Sequence, residues 1–404
     1  MSLLSYKART IKGETKSGKL VAKDKNELAK MLRAQNLILV SVDEENKGAG
    51  MQIKMPHFFR RVKAMDRMLF TRHLGIMLKA GLSFSRALTV LSEQTGNAYF
   101  KEVLEKVQDD VQKGSQLGES LEKHPKAFDE LFVNMIKVGE TGGNLEEVLD
   151  LLYVQIKKSN ELTSRVKGAM MYPAVIIFAM SVVGALMMTF VLPSILSIFR
   201  DMDVPLPLPT KILIFISDTI QKHGVLLLIG IIAFFSILIS IIRTPRGKKG
   251  FDYILLRLPT IKTIIMKINM ARFCRTLSSM IASGVSIVKA LEIVSRILGN
   301  TYYREAVGKA SASVQKGTTL SEFFTQYPKL FHPMMVHMVE VGEETGTLEE
   351  TLKQVAEFYE EDVEQVTENM SAIIEPILML VIGAAVGVFA VAIIQPMYGI
   401  MGKM

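Results

Sequence analysis

The chain of 404 residues carries 48 lysines and arginines against 40 aspartates and glutamates, a formal charge of +8. That length exceeds one ordinary core and requires several domains. A mean hydropathy of +0.28 with 22% charged residues fits neither a protein buried wholly in a bilayer nor a water-soluble enzyme, and the single cysteine, Cys274, excludes an intrachain disulfide framework and reads as a small packing residue.

Residues 1–46 alternate between strand and helix signals. LLSYKAR, a Gly-bearing turn, KSGKLVA, the helical pattern DKNELAKMLRAQN and LILVSVD give a small ββαβ unit. Gly13 to Lys19 matches GxxxxGK, but Leu20 follows where a phosphate-binding loop needs Ser or Thr, and the segment lies in a hairpin rather than between strand and helix. Nucleotide binding is therefore not expected. The first twenty residues also lack the apolar core of a cleavable signal peptide. Residues 47–65 lack a clear period and act as a linker, with His57, Phe58 and Phe59 beside Arg60 and Arg61 leaving a membrane-surface role open.

A helical region follows over 66–171, broken at Gly81, Asn97, Gly114, Pro125 and Asn144 into six short helices, the pattern of an antiparallel bundle. An apolar span covers 172–193, an outer loop with PLPLP covers 194–224, and a second span covers 225–242. A basic connector occupies 243–268, a second six-helix region 269–375, a third span 376–396 and a short outer tail 397–404. The apolar runs Ala174 to Leu192, Val225 to Ile242 and Ile377 to Ile394 contain no charge, so no ion relay is expected inside the bilayer. Lys157, Lys158, Arg165 and Lys167 before the first span, and Arg243, Arg246, Lys248, Lys249 and Arg257 after the second, place the N-terminus and connector in the cytoplasm and the C-terminus outside. The positive charge is thus accounted for without nucleic acid.

The two helical regions are copies. Gly139 recurs as Gly342, Pro173 as Pro376 and Pro193 as Pro396, a constant shift of 203 residues, and Phe70, Arg72, Gly81, Asn97, Gly114, Pro125 and Phe128 recur at the same shift. A long period with only two copies denotes duplicated domains rather than a solenoid, each expected to fold alone and to be related to the other by a pseudo-twofold axis. Asn144 with Glu147, and Thr347 with Glu350, have capping-box spacing at the sixth helix.

Two roles are open to Glu140 and Glu343: accepting backbone N–H groups of the next helix start, or contacting a partner or cation. Opposite charges occupy equivalent places on the sixth helices, Lys157 against Glu360, Lys158 against Glu361 and Arg165 against Glu368. They either meet across the pseudo-twofold, or serve separate partners and anionic lipid, or remain two solvated faces. Gly383 and Gly387 form GxxxG, a face suited to packing on another span. Pro173 and Pro376 mark bends where each helix enters the bilayer. His332 and His337 do not share a helix face, and no catalytic motif is present, so no metal, cofactor or enzyme activity is expected.

The motifs FTRHLGIMLKAG and FCRTLSSMIASG, VGETGGNLEEVL and VGEETGTLEETL, KGAMMYPAVIIF with its closing VLP, and PLPLPTK stand in one order along the whole chain. In this the chain resembles the inner-membrane platform proteins of type II secretion systems and type IV pili, the F family, with FDELFVNM slightly closer to the pilus branch. The resemblance implies a mainly α, multi-pass inner-membrane protein without catalysis. It would couple a cytoplasmic assembly or retraction ATPase to pilin or pseudopilin subunits beside other inner-membrane assembly proteins, as a homodimer or higher oligomer. A multi-pass receptor is the alternative, weakened by the small outer loop.

Overall fold

A computed structural model of the chain describes residues 2–10, 15–22, 31–32, 37–44, 62–194 and 208–401. Met1–Arg60 form a unit of their own. There β1 (Ser2–Thr10) runs antiparallel to both β2 (Thr15–Ala22) and β3 (Leu37–Glu44), in the order β2-β1-β3. Lys7 faces Ser41 but Ala8 faces Leu39, so β3 carries one extra residue, a bulge that bends the strand. Apart from Met31 and Leu32, the helix expected over residues 24–36 lies outside the described residues, as does the linker up to residue 61.

Arg61–Met404 form the second unit, which holds two series of helices. The first comprises α1 (Ala64–Lys79), α2 (Phe84–Gln94), α3 (Ala98–Gln112), α4 (Leu117–Glu122), α5 (Glu130–Gly142) and α6 (Leu145–Ala169). Between the series lie α7 (Met171–Leu186), which closes in a π turn over Met187–Val191, then α8 (Leu208–Arg243) and α9 (Pro245–Arg257). The second series is α10 (Pro259–Ala282), α11 (Ile287–Ile297), α12 (Thr301–Val314), α13 (Leu320–Thr325), α14 (Pro333–Thr345) and α15 (Leu348–Met401).

The turns repeat because their backbone demands repeat. Gly114 and Gly317 have φ of 92° and 94°, and Gly143 and Gly346 have 71° and 72°. A Cβ in that left-handed region costs about 1–2 kcal/mol, so the breaks fall on glycine in both copies. Asn97 accepts from the Tyr99 and Phe100 N–H groups at 3.1 and 3.2 Å, and Asn300 from the Tyr302 N–H at 3.0 Å, starting α3 and α12 in the same way.

The capping box expected at Asn144 does not form, since its side chain takes no cap hydrogen bond. Its backbone, at φ −111° and ψ 33°, is not the extended one that points a cap side chain at the helix start, and its N–H is already bonded to the Gly139 carbonyl at 3.0 Å. In the second copy the Thr347 hydroxyl meets that of Thr345 at 2.6 Å.

Each copy is built on an aromatic cluster. Phe70 lies 5.7 Å from Phe100 and 5.5 Å from Phe128, and Phe273 lies 5.3 Å from Phe324 and 6.2 Å from Phe331. Tyr303 replaces Phe100 in the second cluster, and its hydroxyl donates to the Leu330 carbonyl at 2.7 Å, as a buried phenol requires. The two clusters are not separate cores: buried apolar side chains from Phe70 to Val363 form one contiguous body. The copies, expected to fold each alone, thus share their interior where α6 lies along α10 and α15.

Three stretches are long and apolar enough to cross a membrane, within Leu145–Ser194, Thr210–Arg243 and Ile374–Ile394. The chain is an integral, mainly helical membrane protein by that measure. The two copies differ in helical continuity at the prolines that open the first and third spans. α6 ends at Ala169 and α7 begins at Met171, with Pro173 in its first turn, where a missing N–H has no partner to lose. No matching break occurs at Pro376, because α15 runs through it as one helix of 54 residues. The helix gives up the single bond that proline cannot make, whereas a full break would strand several backbone groups.

Of the segment expected as a loop over 194–224, residues 208–222 are helical up to a kink at His223 (φ −129°, ψ 21°). Lys211, Asp218, Lys222 and His223 interrupt the apolar run and mask the helical spacing of Ile212, Leu213, Phe215 and Ile216. This segment holds the other two spans: Thr210 Oγ1 donates to the Ala392 carbonyl at 2.7 Å, and Ser217 Oγ to the Met188 carbonyl at 2.6 Å. Met188 lies in the π turn, where the regular ladder is opened and a carbonyl is free to accept.

Candidate coupling seam between the two repeats

The shared interior has a polar lining. α6 presents Leu145, Val148, Leu149, Leu152 and Leu162 to the core, and Gln155 stands in the same stripe, almost fully buried. Its Nε2 donates to Thr276 Oγ1 on α10 at 2.9 Å, and Ser279 Oγ donates to its Oε1 at 3.3 Å. A buried amide satisfied on both ends fixes the register of α6 against α10. Further along, Arg272 donates to Thr163 Oγ1 at 3.2 Å, and burial holds the pKa of its guanidinium below the usual arginine range.

Beside this lining runs an ionic seam centred on Glu360 of α15. Arg275 of α10, whose side chain is only 7% exposed, donates to both Glu360 oxygens at 2.8 and 2.9 Å and lies 3.6 Å from Glu357. Burial pulls the Arg275 pKa down, but the hydrogen bonds and charges of Glu360 and Glu357 outweigh it, and the net shift is upward. Lys158 of α6 reaches Glu360 at 3.6 Å, and Arg165 pairs with Glu364. Lys267 on α10 holds Asp362 at 2.7 Å. Glu360 therefore joins a cation from each copy.

The charged positions singled out in the sequence divide accordingly. Lys158, Arg165 and Glu360 are in the seam; Glu361 borders the groove between Lys158 and Arg165; Glu368 is exposed and makes no ion pair among the described residues. Lys157 turns away and lies 3.9 Å from Glu161 on its own helix. Positions of equal index do not face one another, since the pairs are Lys158 with Glu360 and Arg165 with Glu364, one and four residues short of the equivalent places. Arg275 was not among the expected contacts, although Gln155 interrupting an apolar stripe and the repeated Arg72 and Arg275 both pointed to the spot. In the first copy Arg72 lies 3.9 Å from Asp150 and 4.9 Å from the Tyr153 ring centre. Lys353 and Ala356 replace that pair in the second copy, so Arg275 takes carboxylates one to two turns further on.

Glu140 and Glu343 do something other than hold the next helix start. Both lie in the last turn of a helix, α5 and α14, and reach back to the start of the short helix before it. Glu140 accepts from the Leu117 and Gly118 N–H groups at 2.7 and 2.9 Å; Glu343 accepts from those of Leu320 and Ser321 at 2.6 and 3.0 Å, and from the Ser321 hydroxyl at 2.6 Å. A carboxylate on free N–H groups at a positive helix end is a latch between neighbouring helices. A side chain built at Gly383 or Gly387 would meet nothing within 4 Å, so the GxxxG face has no packing partner among the described residues.

This doubled arrangement has counterparts among known proteins. The family described as type II secretion system protein F matches at residues 70–193 and again at 273–396, and its N-terminal domain matches at 1–43. The chain belongs to the type II secretion system protein F family. Within the family it is 36% identical to the type IV pilus assembly protein PilC of Thermus thermophilus, over 100% of this chain and 99% of that one. It is 33% identical to the protein of the same name from Myxococcus xanthus, over 98% and 94% of the two chains. Type II secretion system protein F of Vibrio cholerae is 29% identical, over 98% of each. The two family matches start at Phe70 and Phe273, the residues that anchor the two aromatic clusters.

Proposed function

We propose that the chain is the platform protein of a type IV pilus assembly machine. It sits in the inner membrane, takes motion from a cytoplasmic ATPase and passes it to pilin subunits. The observation that carries this reading is the seam: one buried core spans both copies, and the sixth helix of each copy leads into its own membrane span. Displacement of one copy is thereby transmitted to the other and to both spans. The relatives with the greater identity bear pilus assembly names, which supports the pilus over the secretion branch.

In this reading each six-helix bundle is cytoplasmic and non-catalytic, the N-terminus is cytoplasmic, the C-terminus lies outside, and no ion or nucleotide is consumed by the chain itself. The Gly383 and Gly387 face pairs with a second copy. Deleting the gene in its host should abolish surface fibres while pilin still accumulates in the membrane. Fibres persisting in the deletion strain refute the reading, and loss of secreted enzymes with intact fibres transfers it to the secretion branch. Maleimide access to a cysteine introduced at Lys249 only from the cytoplasmic side tests the orientation.

A further inference from the structure

The second span ends in a corner whose sequence is not explained by helix packing alone. α8 stops at Arg243, and Thr244 caps α9, with its Oγ1 accepting from the Gly247 N–H at 3.1 Å and donating to the Ile241 carbonyl at 2.6 Å. Gly247 is required there, because a Cβ would collide with the Ile241 carbonyl. α9 is therefore held against the last turn of a membrane helix, at the level where hydrocarbon gives way to water.

α9 has two unlike faces. One is fastened to the second copy: buried Asp252 accepts from the Thr301 N–H and hydroxyl at 2.8 and 2.6 Å, and Lys249 pairs with Glu305 at 2.7 Å. The other carries Phe251 and Ile254, exposed by 41% and 59%, and runs on to Leu258, the extended residue that joins α9 to α10, exposed by 44%. Phe251 and Ile254 are one helical turn apart on one side, and Leu258 follows one turn later at the end of the helix. Lys248 flanks the strip on one edge, and Arg246 and Arg257 on the other. Arg243, Arg246 and Lys248 form no ion pair among the described residues, while Asp252, the one acid of the helix, is already engaged. An apolar strip bordered by free cations, fixed at the end of a span, matches an anionic bilayer surface in both shape and charge.

We propose that α9 is a lipid-docking helix: Phe251, Ile254 and Leu258 enter the acyl boundary of the leaflet, while Arg246 and Lys248 bind anionic phospholipid headgroups. Because its opposite face holds the start of α12, the leaflet sets the tilt of the second copy relative to the membrane. The inference needs only that α8 spans a bilayer, and it stands whichever fibre the chain serves.

The chain contains no tryptophan, so Ile254→Trp in the full chain makes a single reporter. In nanodiscs its emission should be blue-shifted and quenched by lipids brominated on their tails, more by brominated phosphatidylglycerol than by brominated phosphatidylcholine. Adding Arg246→Gln and Lys248→Gln should remove that excess. Phe251→Trp, an aromatic exchange, guards against a folding defect, and Phe358→Trp on exposed α15 should emit as in water and ignore the bromine. Emission as in water with iodide quenching at position 254 overturns the proposal. So does blue-shifted emission that brominated lipid leaves unquenched, which would indicate a protein partner or second copy on the strip.

Discussion

Replacing Glu140 with alanine removes the acceptor for two backbone N–H groups at the start of α4. Hydrogen bonds to a charged group contribute about 1.5–3 kcal/mol each, and the half-buried carboxylate calls for the lower figure, so the pair amounts to about 3 kcal/mol. At about 1.4 kcal/mol per tenfold, local opening of α4 should become roughly 150-fold more frequent. Glu343 holds a third donor, the Ser321 hydroxyl, and Glu343→Ala should cost about 1 kcal/mol more. Hydrogen exchange on the full chain reads both, in peptides covering Leu117–Gly118 and Leu320–Ser321. Ser321→Ala should remove only the difference between the two sites. If exchange rose at the start of α6 or α15 instead, or by less than about tenfold, the latch assigned to these carboxylates would be wrong.

Arg165→Glu should weaken the seam by at most about 1 kcal/mol, the pair being part exposed, and the added change Glu364→Arg should restore the melting temperature, whereas Lys157→Glu should leave it unmoved. Gly342→Ala would put a Cβ 2.9 Å from the Leu348 Cα and should cost about 1–3 kcal/mol by overpacking, read as a lower melting temperature. Burial raises the Cys274 thiol far above its usual range, so maleimide should label the chain only after denaturation; full labelling of the native chain at mild alkaline pH would contradict its place in the core. Burial, aided by Lys106, lowers the His124 pKa from its ordinary 6.5. The unfolded chain then binds the proton first, so stability is complete above that value and falls as pH drops through it. His124→Gln should flatten that slope in melts taken across the range.

The duplication, the three spans and the turn glycines could be read from the sequence because each is set by local chemistry: a left-handed backbone needs glycine, and a bilayer needs an uninterrupted apolar run. What escaped is set by contacts distant in sequence. Glu140 was visible as a carboxylate near a helix start, but not which start, since Leu117 lies on another element packed beside it. Opposite charges at equivalent positions of the sixth helices revealed that the arms differ, yet side-by-side helices meet along the faces turned toward each other. The contacts therefore fell on Glu360 and Glu364 rather than Glu361 and Glu368. Residues 208–222 passed as loop because their charges dilute hydropathy, while hydroxyls of Thr210 and Ser217 hold them to neighbouring carbonyls.

The two arms leave the shared core with unequal helical continuity. α15 is an unbroken rod of 54 residues, about 81 Å at 1.5 Å per residue, whereas the corresponding path through α6 and α7 is jointed at Met170. A displacement of the acidic stretch of α15 is carried into its span along one unbroken ladder, whereas along α6 and α7 the ladder lapses for a single residue whose backbone stays helical (φ −82°, ψ −10°). The duplicated halves are thus alike in sequence plan and unlike in continuity, and the difference is confined to the one residue that joins bundle to span.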